Sequence, residues 1–158
     1  MSEYTAYFQS VIGQITLVAR EETLVSCLFS EDHVQTNAQN HPLLNRCLIQ
    51  LHEYFRGDRR TFSLDLQPRG TLFQQRVWQQ LLRIPFANTV SYREIATAIG
   101  RPQAAQAIGQ ANRHNPIAIM IPCHRVINSQ GKIGGYAAGV WRKAWLLEHE
   151  KRLIQKTL

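Results

Sequence analysis

The sequence predicts two dissimilar parts in one chain. An α/β N-terminal domain of antiparallel strands plus a helix occupies residues 1–66. A mainly α C-terminal domain with a helix-turn-helix occupies residues 71–158, after a linker at 67–70. Three observations predict this division. Residues 4–9, 14–19 and 23–29 alternate or cluster β-branched and aromatic side chains between turn signals. Beyond residue 70 the apolar residues recur at helical spacing instead. The charge reverses at the same place: residues 1–70 hold six Arg against eight Asp or Glu, a balance of −2, and residues 71–158 hold twelve Lys or Arg against three Glu, a balance of +9.

Taken in order, YTAYFQ, QITLVA and TLVSCLF read as short strands punctuated by Gly13 and by Arg20-Glu21-Glu22. Leu43, Leu44, Cys47, Leu48, Leu51, Tyr54 and Phe55 then follow helical spacing until Gly57 ends the run. Cys47 lies on that apolar stripe and reads as a small core residue. Residues 61–66 read as a further strand, and Gln67-Pro68-Arg69-Gly70 as the linker. Phe73, Val77, Trp78, Leu81 and Leu82 form one face of a helix closed by Pro85. Ser91-Tyr92-Arg93-Glu94 is a capping box, and the helix it opens turns Ile95, Ala96 and Ile99 inward before stopping at Gly100. Arg101-Pro102 allows the next helix, PQAAQAIGQANRH, because proline suits a first helical turn. Two short helices around Gly100 match helix-turn-helix spacing.

Composition narrows the function classes. Hydrophobic content of 44% with 18% charged residues suits a globular chain. No run approaches the ~18 apolar residues of a membrane span, and Met1-Ser-Glu-Tyr is no signal peptide. The expectation is a cytosolic protein with no membrane partner, whose odd set of Cys27, Cys47 and Cys123 remains as free thiols. The basic second half calls for a polyanion, nucleic acid first. Ala104, Ala105, Ala107, Gly109 and Ala111 make the second helix of the pair slim. A slim helix approaches a sugar-phosphate backbone or a narrow groove closely, at the expense of base readout. DNA binding without a strong sequence code is expected, driven by phosphate neutralisation.

The chemistry concentrates at Pro122-Cys123-His124-Arg125. A thiol with an ordinary pKa of about 8.5 attacks poorly at neutral pH and needs a base or a positive field. His124 and Arg125 adjoin Cys123, and Glu150 in Leu-Leu-Glu-His-Glu has the right chemistry to orient a histidine. Metal ligation fits less well, since no second Cys or His stands at zinc spacing around Cys123, and Cys27, His33 and His41 match no common pattern. A cysteine protease suits the basic half poorly.

Ile121-Pro122-Cys123-His124-Arg125-Val126 resembles the active-site signature of the O6-alkylguanine-DNA alkyltransferases, the methylated-DNA–protein-cysteine methyltransferases. Val90-Ser91-Tyr92 with Ile95-Ala96, Ala105 to Gly109, Asn115-Pro116, Gly134-Gly135-Tyr136 and Trp145 to Glu150 fall in that family's order and spacing. The resemblance implies a ribonuclease-H-like N-terminal domain and minor-groove binding of duplex DNA by the helix-turn-helix. The damaged base flips out, and its alkyl group passes irreversibly from O6 of guanine, and from O4 of thymine, to Cys123. By the same resemblance His124, through a water and oriented by Glu150, takes the thiol proton. Asn115 braces the cysteine turn and Tyr92 protonates the leaving purine. Tyr136, Ala137 and Val126 line the pocket, with Lys143 near the leaving oxygen. Arg113, Arg93, Arg101 and Arg125 are assigned to DNA contacts, together with Ala105 and Gln106. No cofactor and no metal are implied. The partner is duplex DNA containing O6-alkylguanine, met by a monomer that loads cooperatively along DNA in a bacterial cytosol.

One position departs from the pattern. The family's recognition helix commonly carries an arginine that enters the base stack, where this chain has Gln106. Glutamine is shorter and uncharged, so the flipped state loses a stacking cation. Two non-enzymatic alternatives stand beside the enzyme: an alkyltransferase-like protein that binds lesions and signals to excision repair, and a plain helix-turn-helix regulator. The first has another residue at the cysteine position, and the second gives Cys123-His124 no role.

Overall fold

Residues 2–31 and 40–156 are described by the computed structural model; His33 and the last two residues, 157–158, lie outside them. The chain forms two compact units, Met1–Arg69 with Pro116–Ala118, and Gly70–Asn115 with Ile119–Leu158.

In the first unit the three expected strands are β1 (Glu3–Ser10), β2 (Gly13–Arg20) and β3 (Thr23–Ser30), an antiparallel meander in that order. Gly13, at φ 120°, closes the first hairpin, where Ser10 Oγ donates to its carbonyl at 2.6 Å. Helix α1 (Pro42–Arg56) packs on the sheet through Leu43, Leu44, Cys47, Leu51 and Tyr54, all buried. His41 caps its start by accepting from the Leu44 N–H. Gly57, at φ 89°, ends it in the left-handed conformation that glycine adopts without penalty. Cys47 is core as expected, and burial pushes its thiol up to about 12.

Residues 61–66 do not form the expected strand. Only Leu66 pairs, through a single parallel bridge to Leu24. The reason is local: both backbone groups of Ser63 are taken by the Gln50 side chain of α1, whose Nε2 donates to the Ser63 carbonyl (3.3 Å) while its Oε1 accepts the Ser63 N–H (3.0 Å). Pro116–Ala118 pairs further along β3, where the Cys27 N–H donates to Pro116 O (2.9 Å) and the Ala118 N–H to Cys27 O (2.8 Å).

The second unit holds α2 (Leu72–Leu81), β4 (Val90–Ser91), α3 (Tyr92–Ala98), α4 (Ala105–Arg113), a 3-10 turn at Cys123–Arg125, β5 (Val126–Ile127) and α5 (Val140–Lys156). Helices α2, α3 and α4 pack on one another, and the buried Trp78 of α2 donates through its indole N–H to Ala111 O of α4 at 2.9 Å. The Ser91–Glu94 capping box is complete, and Thr71–Gln74 forms a second one at the start of α2. Helix α4 begins three residues later than the proline suggests. Pro102 and Gln103 are used in a turn in which the Ala104 N–H donates to Arg101 O, and Ala104 then precedes the helix.

Strands β4 and β5 are only two residues long, yet their parallel register, Val90 with Val126 and Ser91 with Ile127, fixes the start of α3 against the exit of the cysteine turn. The capping box therefore holds Tyr92 as well as α3. Replacing Ser91 by alanine is expected to cost about 1 kcal/mol, read as an earlier midpoint in urea unfolding followed by tryptophan fluorescence.

Candidate active site

Cys123, His124 and Arg125 are successive residues of the 3-10 turn, and all three are buried. Two asparagines hold the backbone around the thiol: Asn115 Nδ2 donates to Ile121 O (2.8 Å) and Asn112 Nδ2 donates to Cys123 O (3.2 Å). Burial raises the Cys123 pKa above its ordinary value, opposed by Asn115, Lys143 and Tyr136. The resting group is accordingly a thiol, and attack requires a base.

Glu150, wholly buried on α5, supplies the organising charge. Its Oε2 accepts from His124 Nε2 (2.8 Å) and Arg125 Nη2 (3.0 Å); its Oε1 accepts from Arg125 Nε (2.9 Å) and from the Ala87 N–H (3.1 Å). Arg125 Nη1 also donates to Ile84 O at 2.8 Å. Burial alone would raise the carboxyl pKa, but His124 and Arg125 outweigh it and hold the group well below the usual carboxylate range. Burial lowers the His124 pKa despite the pull of Glu150, so the imidazole is neutral near pH 7. An ionised carboxylate can only accept, so the proton of the neutral ring sits on Nε2. Nδ1 is left as the basic nitrogen, buried and without a hydrogen-bond partner among the described residues.

Lys143 is also buried. Its Nζ donates to Val126 O (2.6 Å) and Gly135 O (3.0 Å) and lies 5.8 Å from the centre of the Tyr92 ring. Desolvation lowers its pKa to about 8. Burial, and the Cys123 charge after it, raise the Tyr92 pKa, so the phenol keeps its proton. Gly134, at φ 72°, admits this packing, since a Cβ there would stand 3.1 Å from Tyr92 Oη and 3.6 Å from Lys143 Nζ.

A cleft of about 520 Å³ in the second unit is lined among others by Tyr92, Arg93, Ala105, Gln106, Arg113 and Tyr136. Ala137, Gly109 and Asn112 also line it. Seven of the residues singled out in the sequence therefore share one wall or another of it. Cys123, Val126 and Lys143 are buried and are not among the residues lining this cleft. Arg101 does not line the cleft; its guanidinium covers the Phe73 ring at 5.6 Å. Arg125 requires a correction: it is buried and committed to Glu150 and Ile84 O, and so offers no contact to a phosphate. Asn112 escaped the sequence reading, although its position three residues before Asn115 gives the two amides access to the same turn.

Residues 72–152 match the model of the 6-O-methylguanine DNA methyltransferase DNA-binding domain, and residues 4–68 match that family's ribonuclease-like domain. The chain belongs to the 6-O-methylguanine DNA methyltransferase family. The ribonuclease-like match answers the expectation for the N-terminal part, and the fold class follows as expected. Among relatives in this family, the methylated-DNA–protein-cysteine methyltransferase of Mycobacterium bovis is 45% identical over 146 residues, covering 90% of this chain and 88% of its own. The constitutive Bacillus subtilis enzyme of the same name is 42% identical over 161 residues, covering 96% of each. The crystal structure of the Mycobacterium tuberculosis O6-methylguanine methyltransferase superposes with a TM-score of 0.86 at 42% identity, over 96% of this chain and 94% of that one. The crystal structure of Mycobacterium tuberculosis OGT in complex with DNA gives 0.85 at 45% identity, over 96% of this chain and 93% of that one.

The two titrating partners set an acid limit on stability. The folded-state pKa of His124 lies below the ordinary 6.5, and that of Glu150 below the ordinary 4.5. In each case the unfolded chain binds more protons on the acid side, so stability is full above about pH 6.5 and falls as pH drops through both groups. Urea midpoints measured from pH 8 to pH 4 are expected to show this fall. A His124→Gln variant should lose the part of the fall that begins near pH 6.5 and keep a smaller acid fall from Glu150, whose carboxyl Arg125 still holds down.

Proposed function

We propose that this chain repairs alkylated duplex DNA by direct reversal, as a single-turnover methylated-DNA–protein-cysteine methyltransferase. The alkyl group passes from O6 of guanine to the sulfur of Cys123. Family membership and relatives of that name at 42–45% identity support the activity and the DNA partner. The observation that carries the residue roles is the pairing of a buried thiol turn with a neutral His124 whose proton is fixed on Nε2 by Glu150.

In this reading Nδ1 of His124 receives the thiol proton through a bridging water, and the resulting imidazolium is stabilised by the anionic Glu150 already bonded to it. The thiolate displaces the alkyl carbon from O6: a C–S bond forms, the C–O bond breaks, and the electron pair stays on the purine. Tyr92, still protonated, supplies a proton to that purine as it leaves. Lys143 contributes positive charge beside the thiol. The thioether is inert to displacement, so Cys123 is not regenerated. Asn115 and Asn112 hold the turn, while Arg93, Arg113 and the slim face of α4 bearing Ala105 and Gln106 meet the DNA, with the flipped base entering beside Tyr136 and Ala137. The chain acts as a monomer on O6-alkylguanine in duplex DNA.

The deciding experiment is intact and peptide mass spectrometry after mixing the protein with a duplex containing O6-methylguanine. One added methyl on the peptide containing Cys123, absent from a Cys123→Ala control, is expected. Tight lesion binding with no transfer would contradict the proposal. A second measurement addresses Gln106, which is exposed on α4 and lines the cleft. Gln106→Arg is expected to speed transfer from duplex more than from the free base O6-methylguanine, because only the duplex reaction has an extrahelical state to stabilise. Equal acceleration on both substrates would sink that explanation.

A further inference from the structure

Ala87 stands in a tight turn beside Glu150, in a backbone conformation that alanine disfavours. The turn runs Pro85-Phe86-Ala87-Asn88 and closes with the Asn88 N–H donating to Pro85 O at 3.1 Å. Ala87, its third residue, has φ 67°, while Phe86 before it has no positive φ. That combination is a type II turn, whose third position normally holds glycine because a Cβ is strained there. The commoner type I turn closes the same hydrogen bond and suits alanine. The two forms differ by a half-rotation of the central peptide, the one linking Phe86 to Ala87. In the form observed, its N–H donates to Glu150 Oε1 at 3.1 Å. The type I form would turn that N–H away and present the Phe86 carbonyl, an acceptor, toward a carboxylate with no solvent exposure.

The same stretch meets Arg125 twice: Ile84 O accepts from Nη1 at 2.8 Å, and the guanidinium lies 5.7 Å from the centre of the Phe86 ring. Neither contact dictates the sense of the central peptide; the bond from Ala87 to Glu150 does. Strain kept at one residue beside a reacting site points to a use for it. Resting on the proposed function, we infer that Ala87 is a positioning residue, whose strained turn aims one backbone N–H at Glu150 Oε1 and leaves Oε2 to hold His124. With the peptide reversed, a donor is lost and a carbonyl dipole of the wrong sign is gained. The negative potential at His124 then deepens, and the imidazole keeps a proton to higher pH. Only the neutral ring serves as a base, so transfer fails at a higher pH. The charged groups facing His124 are Glu150, Arg125 and Lys143, and a change at Ala87 removes none of them.

The test measures single-turnover methyl transfer by the full chain, from a duplex containing O6-methylguanine, between pH 8 and pH 4. It compares the wild type with Ala87→Val and Ala87→Gly. Valine is β-branched, resists a positive φ more than alanine does, and drives the turn to type I. In Ala87→Val the acid limb of the rate is expected to move up by about one pH unit, about tenfold slower transfer at a pH on that limb, with far less change at pH 8. Ala87→Gly relieves the strain and keeps the N–H, so it is expected to retain the wild-type limb and to raise the urea midpoint. An unmoved limb in Ala87→Val, with transfer reduced equally at every pH, would overturn the inference. So would a limb that moves as far in Ala87→Gly. Should Ala87→Val not fold, the wild type gives a second reading by NMR. The Ala87 amide proton is expected to titrate with the His124 ring nitrogens, since both bond one carboxylate, and an amide indifferent to His124 would overturn the inference too. Absence of methyl on Cys123 in the wild type would instead defeat the functional reading, a result distinct from transfer with an unmoved limb.

Discussion

The carboxylate of Glu150 is the constraint on which the site depends. It has no solvent exposure and receives four donors from three parts of the second unit: two from Arg125, one from His124 and one from the Ala87 backbone. A buried ion pair by itself is poor evidence of net stability, because desolvation consumes much of the attraction. What the arrangement provides is orientation. With Arg125 and the Ala87 N–H satisfying most of its lone pairs, Glu150 stays ionised and can face His124 only as an acceptor. Both the plane of the imidazole and the position of its proton follow from that. Ala87 takes a positive φ of 67° in the same loop, a conformation uncommon for a residue with a Cβ.

The next level is packing between short elements. Two residues of parallel pairing hold β4 to β5, and that register sets Tyr92 near the segment leaving the thiol. Lys143 then bonds both Val126, just after the turn, and Gly135, on the wall of the cleft. Gly109 of α4 faces Tyr92 at ordinary packing distance, where a Cβ would stand 4.0 Å from the ring.

Legibility from sequence tracked how local each cause was. Gly13, Gly57 and the Ser91–Glu94 box act within a few residues of themselves, and the elements they bound were readable. The Thr71–Gln74 box at the start of α2 carries the same local signal. The segment 61–66 had the alternation of a strand, yet Gln50, thirteen residues before Ser63, claimed its backbone groups. Nothing near Ser63 announces that. Arg125 was misread for a related reason. Its charge suited DNA, but its partner Glu150 lies twenty-five residues away, and only the fold brings them together. Asn112 was not legible because an asparagine in the last turn of a helix has no distinctive spacing; its meaning comes from the carbonyl it meets.

The 3-10 turn at Cys123–Arg125 has one more consequence. With three residues per turn, successive side chains leave the axis about 120° apart. Thiol, imidazole and guanidinium therefore depart in three directions from three adjacent codons. A substitution in this tripeptide alters one direction and leaves two intact. An insertion or deletion rotates the whole set, aiming each group at its neighbour's station. The site is thus closed to variation in frame, a genetic rigidity that comes from helical pitch.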